Sequence, residues 1–150
     1  MGLVTLFKEF LRGQENAQDQ LNDNFTKIEG YIDDTGWLPI TLTSDFRPFL
    51  GNTSNSPKYR RIGKNVEIKG VIQPTSAISA SSSAIISVLP EEIRPNAQNV
   101  CVICQGSAKN TWLAEIESSG NLKFSRYGTS VDAEAATNIW LPFTIRYFIG

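Results

Sequence analysis

Apolar residues at Leu21, Phe25, Ile28 and Ile32 recur at intervals of 4, 3 and 4 inside an otherwise polar stretch, residues 13–32. That rhythm is the a/d seam of a coiled-coil-like amphipathic helix, and it predicts a helical stem there. Gln14 and Gln18 occupy the preceding seam positions, so the stripe fades toward its start. About three turns of apolar seam cannot hold an isolated helix in water, so the stripe needs a partner. The partner is either another copy of the chain or the chain's own body, if the helix folds back. The seam assigns Leu21, Phe25, Ile28 and Ile32 to self-association. Upstream, Leu3, Val4, Leu6, Phe7, Phe10 and Leu11 crowd into a terminal apolar patch that reads as a docking surface.

After Asp33-Asp34-Thr35-Gly36 the period changes from helical to two. Trp37 to Thr43 alternates as a first strand, and residues 45–57 read as a long loop. Lys58 to Ile62 and Val66 to Ile72 form a hairpin about a turn at Gly63 to Asn65. Its second arm places Val66, Ile68, Gly70 and Ile72 on one face, with Glu67 and Lys69 on the other. Residues 74–84, PTSAISASSSA, read as a flexible loop. Strands follow at Ile85 to Leu89, Val100 to Gln105, Thr111 to Glu117 and Leu122 to Tyr127. A second polar loop spans residues 128–137. The last strand, Ile139 to Ile149, turns Ile139, Leu141, Phe143, Ile145 and Tyr147 inward and Trp140, Thr144 and Arg146 outward. Short strands separated by regular turn signals, with no βαβ alternation, predict an all-β antiparallel sandwich of jelly-roll type. The expected organisation is a stem over residues 1–34 and a head over residues 35–150.

Composition narrows the chemistry. The 150 residues carry 14 Lys and Arg against 15 Asp and Glu, a formal net charge of -1, and no basic run. A nucleic-acid partner is not expected. There is no histidine, which removes the commonest general base and the commonest zinc ligand together. Cys101 and Cys104 form a lone C-x-x-C on a strand, where positions three apart face opposite ways. Both are expected to be free thiols, at least one in the core. No metal site and no cofactor are expected. No stretch approaches the ~20 apolar residues of a membrane-crossing helix, so no membrane insertion is expected. The start of the chain lacks the basic n-region and cleavage pattern of a signal peptide, which implies synthesis in a cytoplasm.

Five segments in order carry a family resemblance: Trp37-x-x-Ile40-x-Leu42, Tyr59-Arg60-Arg61-Ile62-Gly63, Val66-Glu67-Ile68-Lys69-Gly70, Leu89-Pro90-Glu91-Glu92-Ile93-Arg94-Pro95 and Ile116-x-x-x-Gly120-x-Leu122. The body resembles the head domain of phage receptor-binding and baseplate tail proteins from siphophages and prophages of low-GC Gram-positive bacteria. Residues 13–28, with Leu21-Asn22-x-Asn24-Phe25-x-x-Ile28, are similar to the start of many phage tail proteins. The resemblance implies a homotrimer at a virion's tail tip or baseplate. It also implies an N-terminus contacting other tail proteins and a head that binds host cell-wall polysaccharide.

A saccharide binder needs an aromatic face for C–H surface and planar polar groups for hydroxyls. Trp112, Arg126, Tyr127 and Asp132 are the candidate ligand-binding set; core or interface packing is the competing role for Trp112. Trp37 reads as a structural plug beside the stem, and Trp140 as exposed or at a subunit interface. Arg94, in a loop stiffened by Pro90 and Pro95, reads as scaffold pairing across that loop with a carboxylate. No matched pair of carboxylates stands out for glycoside hydrolysis, so the chain is not expected to be an enzyme. The alternative to a saccharide adhesin is a purely structural tail component without a sugar site.

Overall fold

A computed structural model describes residues 16–96, 98–130 and 132–150, with the side chains of residues 30 and 31 excepted. The expected docking patch of residues 3–11 lies outside the described residues.

The stem is a single helix, α1 (Ala17–Ile32), with Asp19 favourably placed in its first turn. Its seam is left open: Leu21, Phe25, Ile28 and Ile32 are each between 39% and 64% exposed, and none joins the core. The helix therefore does not bury this stripe against its own body.

Two carboxylates, Asp33 and Asp34, follow the helix, the wrong sign for its C-terminal dipole. They serve the head instead. Arg60 grips Asp34 with two N–H groups, Nε donating at 2.8 Å, and Arg61 Nη2 lies 2.7 Å from Asp33 Oδ2. The backbone joins in, with Gly63 N–H donating to Asp33 O at 2.7 Å and Thr35 N–H to Arg61 O at 3.0 Å. The Arg60 hydrogen bond, then the Gly36 N–H, hold the Asp34 carboxyl at about 2, below its ordinary 3.8. A depressed carboxylate contributes its stability above its unfolded pKa and loses it as pH falls through the folded value. The junction should therefore loosen between about pH 4 and pH 2, modestly because both partners are exposed. Urea midpoints across that range should converge for the parent and Arg60→Ala; a gap between them unchanged down to pH 2 would contradict this clasp.

The body is all antiparallel. Strands β1 (Leu38–Pro39), β2 (Phe46–Pro48), β3 (Lys58–Ile62), β4 (Asn65–Pro74) and β11 (Leu141–Phe148) form one sheet in the order β1-β3-β4-β11, with β2 also pairing β4. Strands β6 (Ser83–Val88), β7 (Val100–Gln105), β8 (Thr111–Ile116) and β9 (Asn121–Ser125) form a second, ordered β6-β9-β8-β7. The β3–β4 hairpin turns on Gly63-Lys64, with Gly63 at φ 57, a conformation glycine adopts without steric cost. The inner faces meet in one core that includes Ile68, Ile72, Leu141 and Ile145 from the first sheet and Ile86, Ala114, Ile116 and Leu122 from the second. Rings cross between the layers: Phe46 lies 5.9 Å from Phe124, and Trp112 packs edge-on to Phe143 at 6.0 Å. The expected sandwich is present.

Four local expectations change. Trp37 to Thr43 is not one strand: Ile40 N–H still donates to Pro57 O at 2.9 Å, but Pro57 has no N–H to return, and the ladder ends there. Only β1 pairs with β3; beyond it Thr43 N–H donates to Ile86 O and Ser87 Oγ to Thr41 O, so the segment crosses to the second sheet. The loop over residues 45–57 contains β2, whose Phe46 is buried. The two polar loops are also not free. β5 (Ile78–Ser79) pairs with β10 (Glu134–Ala135), burying Ile78 and Ala135. Finally, Arg94 meets a carbonyl, not a carboxylate: its Nε donates to Leu89 O at 3.0 Å.

Cys101 is exposed and Cys104 buried, both as free thiols, and burial pushes the Cys104 thiol up to about 11. Among the described residues no helix is long and apolar enough to cross a membrane.

Candidate functional site

The four expected ligand residues do not assemble into one exposed patch. Trp112 is 1% exposed, with its ring 5.3 Å from Phe124, so it is a core side chain and no sugar can reach its face. The same holds for Tyr127, 3% exposed, whose hydroxyl accepts from Asn110 Nδ2 at 3.2 Å. The course of their strands explains this. Ala114 and Ile116 share the face of Trp112, whereas Tyr127 lies past the end of its strand, where Arg126 at φ 53 breaks the alternation and the Tyr127 ring comes 6.1 Å from Phe124. Arg126 is exposed and, with Tyr127, Ser81 and Ser130, lines a shallow depression of about 250 Å³, the one place where, among the described residues, two of the expected ones meet. Asp132 is exposed and does not line that depression.

A larger opening lies elsewhere, at the seam between the sheets. Strand β11 is an edge of the first sheet and β7 an edge of the second. They are tied where Ser107 N–H donates to Trp140 O at 2.9 Å and Trp140 N–H returns to Ser107 Oγ at 2.7 Å. Gly106 sits so close to this junction that a Cβ would come within 2.7 Å of Trp140 O. Beside it opens a cleft of about 500 Å³, within the usual range for ligand sites. Lys58, Lys69 and Thr144 line one side, Ile103 and Gln105 the other, and Asn55 closes it. Ile103 is 74% exposed, an isolated apolar side chain at the mouth.

The register of the first sheet sets which side chains share its outer face. Lys58 is directly opposite Lys69, and Lys69 opposite Thr144. Two residues along, Arg60, Glu67 and Arg146 form the next row. Trp37 lies against the lysines, its ring centroid 3.9 Å from Lys69 Nζ and 5.6 Å from Lys58 Nζ. The indole expected as a plug is thus a half-buried lid on two ammonium groups.

No protein-family model and no curated protein sequence matches the chain. Two solved structures resemble it. One is the head domain of phage bIL170, described with the receptor binding domains of lactococcal phages. It has a TM-score of 0.58 and 13% identity over 77% of this chain and 98% of that one. The other is the receptor binding protein (gp15) of Listeria phage PSA, with a TM-score of 0.52 and 16% identity over 93% of this chain and 80% of that one. The chain has the fold of these two phage proteins. The fold match bears out the resemblance carried by the five sequence segments, and the short strands and turns that those segments bracket are the ones that build the sandwich.

The cleft is not legible in the sequence because its walls come from the β3–β4 hairpin and from β7 and β11, which lie far from it along the chain. The one available signal was the hairpin, whose turn already places Lys58 near Lys69.

Proposed function

We propose that the chain is a phage tail receptor-binding protein, at the tail tip or baseplate, that attaches a virion to saccharide on the host cell surface. Three copies associate through the helical seam, the N-terminal end contacts other tail or baseplate proteins, and the head binds without catalysis. The fold shared with two phage receptor-binding heads carries this reading. The open seam of α1 supports self-association, since a surface helix normally buries its apolar stripe, and the family resemblance implies three copies.

A structural tail component without a sugar site is the second reading. The burial of Trp112 and Tyr127 favours it, and the cleft between the sheets weighs against it. An array of bacterial cell-wall saccharides probed with the full chain separates the two. The adhesin reading predicts saturable binding to a subset of saccharides; binding to none leaves the structural component.

A further inference from the structure

Like charges directly opposite on neighbouring antiparallel strands destabilise the pair. Lys58 and Lys69 are such a pair, and the fold does little to relieve them. The adjoining row shows what relief looks like: Glu67 sits opposite both Arg60 and Arg146, with Arg146 Nε 3.2 Å from its carboxylate, while Arg60 holds Asp34. Among the described residues, neither Lys58 nor Lys69 has a carboxylate within ion-pair distance. None of the described residues lining the cleft beside them is acidic. Trp37 offers both ammonium groups an aromatic face, which holds them in place without neutralising them. Thr144, Gln105 and Asn55 add hydroxyl and amide groups around the same opening.

From this juxtaposition we propose that the cleft between the sheets binds an acidic saccharide. Lys58 and Lys69 receive its anionic group, and Thr144, Gln105 and Asn55 its hydroxyls. This deepens the saccharide-binding reading and rests on it. Two ammonium groups on opposed residues, both against the Trp37 ring, suit a single anion shared between them, either a phosphate ester or a carboxylate. Ile103 at the mouth supplies apolar contact for a sugar's C–H face.

The test is an NMR titration of the isotope-labelled full chain with glycerol 3-phosphate, glucuronate and neutral glycerol. The acidic probes should shift the amides of Lys58, Lys69 and Thr144, and glycerol should not. A response to glycerol 3-phosphate alone assigns a phosphorylated saccharide, and one to glucuronate alone assigns a uronic acid. Lys58→Ala and Lys69→Ala should each weaken the effective probe by about 3- to 10-fold, and added salt should weaken it further. Lys64→Ala, away from the cleft, should not change it. A second variant covers the premise. Lys58→Glu places opposite charges across the strands, so it should raise the thermal midpoint by about 1–3 °C while abolishing the response.

Equal responses to glycerol and the acidic probes, unaffected by the lysine variants, would overturn the acidic assignment while leaving a neutral-saccharide head intact. Shifts confined to other surfaces would overturn the cleft. Shifts at Lys58 and Lys69 on dilution, not on adding probe, would show a second copy filling it and would also overturn the proposal. A lower midpoint for Lys58→Glu would overturn the claim of unrelieved repulsion. Failure of the full chain to bind any saccharide on the array would overturn this proposal and the reading beneath it together.

Discussion

Replacing Trp112 with alanine should lower the stability of the head by about 3–5 kcal/mol, the cost of emptying a fully buried aromatic site. Trp112 sits between Phe124 at 5.3 Å and Phe143 at 6.0 Å, so the cavity would open where the two sheets meet. Against a typical total of about 5–15 kcal/mol, that loss leaves a marginal or unfolded head. Trp112→Phe should cost less than half as much. It keeps most of the ring and removes a buried indole N–H that finds no acceptor among the described residues. Urea denaturation of the three proteins measures both differences. A Trp112→Ala protein that stayed as stable as its parent while losing saccharide binding would show that the ring is reachable, contrary to its burial.

Charging the stem seam should have the opposite profile, with the head intact and the assembly lost. Phe25→Asp combined with Ile28→Asp puts two carboxylates into the apolar stripe, while no seam residue belongs to the core of the sandwich. Near-ultraviolet circular dichroism and urea midpoint of the head should barely change. Attachment to a saccharide-coated surface should fall by about 10²- to 10⁴-fold, because three linked heads bind by avidity and one does not. Surface binding as tight as the parent's would contradict a multivalent display.

Local periodicity carried most of the fold. The β3–β4 hairpin needed only its alternation and Gly63, and the last strand, β11, buries Leu141, Phe143 and Ile145 as its pattern predicts. The stem was legible for the same reason, since four apolar positions at helical spacing define its exposed stripe. What failed depended on contacts distant in sequence. The pairing of Ile78 with Ala135 joins two segments that each look like polar loops. The segment Trp37 to Thr43 changes sheets after Ile40 although its alternation looks unbroken, because period two reports facing and not which partner a strand keeps.

The candidate site was harder still. Trp112, Arg126, Tyr127 and Asp132 were grouped by chemical type near one loop. Alternation with Ala114 and Ile116 buries Trp112, the break in the strand at Arg126 brings Tyr127 in beside Phe124, and only Arg126 and Asp132 are left exposed. Lys58 and Lys69 look ordinary in the sequence. Their significance comes from register, which sets them opposite each other, and from where Glu67 goes instead.

Light scattering of the purified full chain tests the account most directly, because a multivalent adhesin must first be an assembly. Self-association through the seam of α1, in the homotrimer that the family resemblance implies, predicts a particle of three times the 16.6 kDa chain mass. A monodisperse single-chain mass at micromolar concentration would contradict the stem's role and, with it, the display of three saccharide-binding heads.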